Sequence, residues 1–302
     1  MSNTVTSLTA TLIQDEVLPA LKLGLSPLNA MSITAVADRP LFKGDAVTVD
    51  VVTAKSAGTY ATTFESGDST WTGTAVTIAA PVFSSWHINP FTEGAPTAAR
   101  FLAAGKEAAY AVAKTCVQNV LAFFVNANVG SGAGDVSAIA AASYDTDDIA
   151  DMIALIQAKG VAGSVSAIHN LSYATALKKD AALKDASAYG GGEMIRTGTL
   201  PPILGVQPYY TDAFPAALTN ENVGVIFTGK TAAAVAIGAA GDPTGQVEEA
   251  GVREMIVTDP ESGLSLTWRT WVNSGTGYHW GSVYVMMGQS FLQNAAVRIV
   301  SV

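Results

Sequence analysis

Pro96–Val125, PTAARFLAAGKEAAYAVAKTCVQNVLAFFV, carries the clearest helical period in the 302-residue chain. At about 100° per residue, Phe101, Gly105, Ala108, Val112, Cys116, Val120 and Phe123 fall on one apolar stripe. Arg100, Glu107, Lys114 and Gln118 cluster on the other side. Gly94-Ala95-Pro96 leads in, with the proline expected at or near the first turn, and Asn126-Ala127-Asn128-Val129-Gly130 closes the stretch. Such a rod is about 40 Å long, enough to span the protein.

On the N-terminal side, Met1 to Pro40 reads as an extended or partly helical arm. Leu12, Ile13, Val17, Leu18, Leu21 and Leu23 predict one short amphipathic helix, limited by Pro19. Between arm and rod lies a β-ribbon pattern. Val47, Val49 and Val51 alternate with Thr48 and Asp50, and a second strand is expected near Thr74–Ile78. Turn-rich Ser56-Ala57-Gly58 and Ser66-Gly67-Asp68 separate the two, with Tyr60, Phe64 and Trp71 interspersed. A lone two-stranded ribbon is marginal in water, so this one needs a support, and a neighbouring subunit is a natural one.

On the C-terminal side, Gly130–Gly134 reads as a flexible linker. Thr146, Asp147 and Asp148 look like the cap and first turn of a helix over Ile149–Lys159, ended by Gly160. A strand at Val165–Ile168, a helix at Ser172–Lys179, a loop at Tyr189–Gly192 and strands near Val206–Tyr210 and Val223–Phe227 follow, an α/β pattern. Arg253–Thr258, Leu264–Val272, Tyr278–Met287 and Ala296–Val302 read as one antiparallel sheet.

Composition narrows the function classes. Hydrophobic residues are 49% of the chain and charged residues 14%, well below the roughly 25% of an ordinary soluble domain. Weak solvation of that kind fits either a membrane or a surface hidden against other copies. The apolar runs Val120–Val125 and Ala232–Ala240 fall far short of the ~20 residues of a spanning helix. No basic residue precedes Lys22 and no compact apolar block opens the chain, so a secretory signal is not expected. A soluble, self-associating protein is. Net charge is −9 and the basic residues are scattered, Lys178-Lys179 being the only adjacent pair, which argues against a basic face for nucleic acid. The single Cys116 excludes an intrachain disulfide and a Cys-based zinc site; it reads as a small buried hydrophobe in a reducing compartment.

Candidate chemistry is sparse. Gly224–Thr231, GVIFTGKT, satisfies the phosphate-loop spacing, in which backbone N–H groups of a loop cradle phosphates after a strand. Here Val225-Ile226-Phe227 would itself be the strand, and a loop cannot also be a buried apolar strand. His87, His169 and His279 have no neighbouring His or Cys at ligand spacing, so packing or surface roles are expected. Asp145, Asp147 and Asp148 lack the glycine and distal glutamate of a calcium loop. No nucleophile elbow is present. Gly130–Gly134 lacks the glycine spacing of a dinucleotide loop. No catalytic, cofactor-binding or metal residue is assigned, and no cofactor is expected.

The order of arm, projecting ribbon, long spine helix, α/β domain and returning sheet resembles the major capsid proteins of tailed bacteriophages, the HK97-like fold. Local phrases carry the same resemblance. Ser166–Asp180, SAIHNLSYATALKKD, is similar to the strand and helix of that family's axial domain. Thr197–Pro208, TGTLPPILGVQP, resembles its "tG-x-lg-x-i-x-G-v-p-v" stretch. Gly224–Phe227 running into Ala232–Ala236 resembles a further strand and helix, and Arg253-Glu254 with Leu264-Ser265-Leu266 its peripheral return. The resemblance implies an α+β fold in five segments: an arm (1–40), an extended β-ribbon (41–85), a peripheral domain with the spine (86–140), an axial domain (141–250) and peripheral return strands (251–302). It implies a coat protein, not an enzyme, that self-assembles through hexamers and pentamers into an icosahedral shell around double-stranded DNA. Portal, scaffolding or decoration proteins are the expected partners, the virion capsid the expected location, and the host bacterial cytoplasm the place of assembly. An encapsulin-like compartment shell is an alternative on the same architecture, and a nucleotide-binding enzyme built on Gly224–Thr231 one from another class. Some members cross-link a ribbon lysine to a peripheral asparagine. Lys43, Lys55 and Asn273 lie in the corresponding regions, but no flanking motif aligns and the chemistry is not carried over.

Overall fold

The periodic stretch forms one helix, α4 (Ala98–Leu121), in the computed structural model, which describes residues 8–37, 40–52, 71–161, 164–180, 183, 200–215, 222–241 and 251–301. Thr97 caps it, its hydroxyl accepting from Arg100 N–H at 3.4 Å, so Pro96 lies just outside the first turn. Phe101, Ala108, Val112, Cys116 and Val120 are buried as the stripe requires, and so are Ala109, Ala113, Val117 and Leu121. The buried face is wide because α4 is covered from two sides. At its C-terminal end the helix stops four residues early, which turns Phe124 into the core and leaves Phe123 half-buried.

One cover is the N-terminal segment. α1 (Ala10–Glu16), α2 (Leu18–Leu25) and α3 (Leu28–Met31) replace the single helix expected there. Pro19 does not break α2; it sits in its first turn, where no backbone donor is needed. Leu8, Ile13, Val17, Leu18 and Leu21 are all buried. The part of the arm from Leu8 onward is therefore packed within its own chain. A hydrogen-bonded Lys22–Asp259 ion pair (2.5 Å) ties it to the far sheet, and the Lys22 ammonium holds the Asp259 carboxyl down at about 2.

The other cover is a six-stranded sheet. Its path runs β1 (Ser32–Val36), β9 (Ala233–Gly238), β12 (His279–Phe291), β11 (Ser265–Val272) and β10 (Val252–Thr258), with β4 (Val82–Ile88) also on β12. The 13-residue β12 organises it: His279–Val285 pairs with β4, and Met286–Phe291 with β9. Trp268 and Trp86 meet edge-on at 5.1 Å beneath α4, and Phe101 packs on Trp86 at 6.2 Å. Gly105 permits this approach, since a Cβ there would sit 2.3 Å from the Trp268 ring. Ala232–Ala236 was expected to enter a helix; it lies in β9 instead, whose six residues are all buried. An unbroken apolar run has no polar face to present, and burial between β1 and β12 suits it as a strand.

The ribbon pairs as expected, β2 (Ala46–Val52) antiparallel to β3 (Trp71–Thr77), with Val47 opposite Val76 and Val49 opposite Thr74. Its root is fastened to the first sheet: Ala79 N–H donates to Met287 O at 3.0 Å, and Leu41 N–H to Ala239 O at 2.9 Å. Val49, Val76 and Ile78 are buried there against Ala234, Ala236 and Met286. Lys55, the two turn segments, Tyr60, Phe64, Tyr189–Gly192 and the start of the 197–208 phrase lie outside the described residues.

A second, five-stranded sheet has the order β5 (Val136–Ala138), β13 (Ala296–Val300), β8 (Val223–Thr228), β6 (Ser166–Asn170) and β7 (Gln207–Thr211). Helices α6 (Thr146–Ala158) and α7 (Leu171–Lys179) pack on it, and the four-residue α5 (Asn126–Val129) lies between it and the spine. The true cap of α6 is Asp145, not Thr146: its carboxylate accepts from Asp147 and Asp148 N–H, and Asp148 returns the bond. β13 was expected in the sheet of β10–β12, but it pairs antiparallel with β8 and parallel with β5.

Two substitutions test this packing. Val112→Asp puts a carboxylate where 1% of the side chain's surface is exposed, and an unpaired buried charge costs several kcal/mol. Gly105→Ala gains about 1 kcal/mol of helix propensity but forces the walled-in Trp268 to move, which costs roughly 1–3 kcal/mol. Both variants should melt below the parent, Val112→Asp far more. A Gly105→Ala protein that melts higher would show the Trp268 contact to be loose.

Candidate functional site

Every covalent connection between the two sheets passes one junction. The chain leaves α4 through residues 122–135, crosses back at 229–232 and crosses again at 292–295. The last two crossings hold each other: Gly229 N–H donates to Ala295 O at 3.1 Å and Leu292 N–H to Ala232 O at 3.0 Å. Arg298, on β13, is fully buried. Its guanidinium donates to Phe124 O at 2.9 Å, Gly130 O at 2.8 Å and Asn126 Oδ1 at 2.5 Å, three acceptors on the stretch that follows the spine. Lys159, just past α6, reaches Asp135 (2.6 Å), Asn294 Oδ1 (2.9 Å) and Ala296 O (2.7 Å), and its ammonium holds the Asp135 carboxyl below the usual range. Gly130–Gly134 is thus pinned at its start by Arg298 and just past its end by Asp135, not a free linker. Sequence reading passed over Arg298, although a lone arginine inside the apolar run AAVRIV is itself the signal of a buried, bonded charge.

The second sheet holds a buried polar pair. His169 Nδ1–H donates to Tyr209 O at 3.2 Å, which leaves Nε2 to accept from the Tyr144 hydroxyl at 3.0 Å. Burial pushes the His169 imidazole down to about 4 and the Tyr144 phenol well above its ordinary value. Both ring nitrogens are satisfied in the neutral form, so this is a packing histidine. His87 lies on the opposite, outer face of the first sheet, stacked on Tyr278 at 5.1 Å, with Trp280 at 4.7 Å. His279 opens β12, next to Trp280 in sequence and paired with Ile88 across the ladder. The three histidines belong to two sheets and are not brought together as ligands.

The GVIFTGKT segment is strand β8 followed by a turn. Val225–Thr228 are paired on both sides, with β6 and with β13, so their amides are committed to ladders. A Cβ at Gly224 would lie 2.1 Å from the Tyr173 ring, which leaves no opening there for a phosphate. Cys116 is buried against the sheet, and burial pushes its thiol up to about 12, far from a reactive thiolate. Asn273 uses its Oδ1 to accept from Gly275 and Thr276 N–H within its own turn, and Lys43 is exposed at the ribbon root. Among the described residues, no group of three His, Cys, Asp or Glu side chains is placed to hold a metal ion, and no helix is long and apolar enough to cross a membrane.

A spine helix under a sheet, a ribbon rooted on that sheet and a second mixed sheet beyond a single junction make up the fold. No protein-family profile and no curated protein matches the chain. Solved structures do. A chain of the capsid of Ralstonia phage GP4 is 15% identical, with 90% of this chain and 87% of that one covered and a TM-score of 0.54. A chain from Gordonia phage Cozz matches at 15% identity, 92% and 86% coverage and a TM-score of 0.53. The capsid structure of cyanophage P-SCSP1u matches at 14% identity, 90% and 87% coverage and a TM-score of 0.52. The chain has the fold of phage capsid chains, as the resemblance in its sequence implied.

The His169 pair gives a pH prediction. An unfolded histidine protonates near 6.5 and the folded one near 4, so the unfolded state binds the extra proton between those values. The stability of the neutral, bonded imidazole is complete above pH 6.5 and is lost as pH falls toward 4, by up to about 3 kcal/mol at 1.4 kcal/mol per pH unit. His169→Phe should be less stable at pH 7, because it orphans the Tyr144 hydroxyl, but should lose less between pH 6.5 and 4. Denaturant titrations at the two pH values would show it; equal acid losses in both proteins would remove His169 as the cause.

Proposed function

We propose that this chain is the major capsid protein of a tailed bacteriophage and self-assembles, through hexamers and pentamers, into an icosahedral shell around the double-stranded genome. The observation that carries the reading is the fold held in common with virion capsid chains over about nine-tenths of this chain. The ribbon supports it: two strands extend beyond a small apolar root, and a ribbon of that kind is marginal without something to lie on. Net charge agrees, since a wall that encloses DNA needs no basic binding face and this chain carries −9.

In this reading the protein is structural and not catalytic, its principal partner is itself, and portal, scaffolding or decoration proteins meet the finished shell. It resides in the virion capsid and assembles in the host bacterial cytoplasm. The segments 1–40, 41–85, 86–140, 141–250 and 251–302 act as arm, ribbon, peripheral domain, axial domain and peripheral return, with β9 and β13 each crossing to the other sheet. The compartment-shell alternative has nothing specific in its favour, because two of the neighbours named above are phage capsids.

Expression followed by electron microscopy tests the reading. Closed particles are expected; a monodisperse monomer by analytical ultracentrifugation across salt and concentration would count decisively against it. Deleting Lys55–Thr70 should leave a folded subunit that assembles poorly. Normal shells from the deletion variant would take the ribbon out of the assembly mechanism.

A further inference from the structure

A two-residue turn beside β7, the last described strand of the second sheet, carries a conformation its sequence does not favour. Ile203 and Val206 exchange both backbone hydrogen bonds, at 3.0 and 2.8 Å, around Leu204 and Gly205. Both central residues have positive φ, 51° at Leu204 and 82° at Gly205. Asparagine, aspartate or glycine dominates the first position of such turns, because a left-handed backbone presses an ordinary Cβ against the carbonyl. Leucine bears that strain and gains no burial from it: the flanking Ile203 and Val206 are 1% and 3% exposed, while Leu204 is 55% exposed. Strain of this kind, kept where it adds nothing to the core, points to a use outside the chain.

The neighbouring strand indicates what kind of use. Among the described residues β7 is the last strand of its sheet, so one row of its backbone groups faces outward. Gln207 N–H donates inward to Val165 O, which places Pro208 and Tyr210 on the outward row. Proline has no N–H to offer, and Lys178 lies over the Tyr210 ring at 5.0 Å. Proline on an edge strand is a device against strand addition, and a lysine held over the edge from α7 adds a charge there. That protection matters most for a chain surrounded by identical edges, and it leaves side-chain contact as the way for another copy to meet this flank.

We propose that Leu204 is an apolar anchor that seats against a second copy of this chain in the shell, held out by a rigid turn whose strain is compensated by the contact. The inference rests on the shell reading above. Copies arranged around a symmetry axis meet head to tail, each offering one flank to a different surface of the next, and a short fixed projection suits such a repeated contact.

The test is Leu204→Asn, which relieves the strain and removes the apolar side chain together. Dissociated Leu204→Asn subunits should melt at or above the parent temperature, while the concentration needed for particle formation rises at least about tenfold, as for loss of an interface anchor. Leu204→Met, which keeps an apolar chain on the strained turn, should assemble close to the parent. Parent and Leu204→Asn particles forming at the same concentration would overturn the inference and leave the shell reading standing. Dissociated Leu204→Asn subunits melting below the parent would make Leu204 a packing residue of its own chain and overturn it too. A parent protein that forms no particles would remove both readings.

Discussion

The guanidinium of Arg298 is the contact on which the relation of the two sheets depends. A buried arginine is costly unless its donors are matched. Here its two terminal nitrogens are matched by the carbonyls of Phe124 and Gly130 and the side chain of Asn126, three groups on the stretch that leaves the spine. The arginine belongs to β13, in the middle of the second sheet. One side chain thus fastens the end of a 24-residue rod to the sheet beyond it. Lys159 adds a second fastening from α6 through Asp135 and Asn294, and Asn294 Nδ2 donates in turn to Val129 O at 2.7 Å. Three chain crossings held by these bonds make a joint rather than a linker, and the glycines at 130–134 serve close turning, not looseness.

The spine's own neighbours explain much of the odd composition. α4 lies between α2 and the first sheet, and both approaches use the smallest residues available. A Cβ on Gly24 would stand 2.5 Å from the Ala113 Cβ, and one on Gly105 would stand 2.3 Å from Trp268. Close packing of a rod on two sides demands Ala and Gly where a surface helix would carry Lys and Glu. Part of the low charge content is therefore interior demand, not surface left bare for partners. The N-terminal helices make the same point, since Leu18, Leu21, Leu25 and Leu28 are buried in the core that contains α4.

What could be read from the residues follows from where each signal lives. The spine, the ribbon, α6, α7 and strands β6 to β8 announce themselves through local period and caps, and they form within a few residues of the expected places. β9 does not, because an all-apolar run of six residues has no period to distinguish strand from helix; its partners 200 residues upstream and 50 downstream decide. β13 reads as a strand, but its choice of β8 over β12 is made by pairing that no local pattern encodes. The arm misled for a related reason: prolines that stand at helix starts read locally as breaks until the packing of these helices on α4 is known. Arg298 was legible in principle, since arginine rarely interrupts a strand that is buried on both sides.

With most of the described arm and of the spine's apolar face packed within the chain, apolar surface remains among the described residues in separate places. The outer face of the first sheet carries stacked rings, Trp271 on Trp280 at 5.8 Å and His87 on Tyr278, with Phe83 66% exposed on the same edge. The ribbon leaves that sheet at another point, through Leu41 and Ala79, and Leu204 stands on the flank of the other sheet. A dimer needs one such surface. A closed shell needs several on each subunit, facing different neighbours, and it needs the angle between them fixed so that curvature is reproducible from copy to copy. Within the chain, the Arg298 joint ties the end of the spine to the second sheet, so the flank that carries Leu204 and the root of the ribbon are tied into one frame.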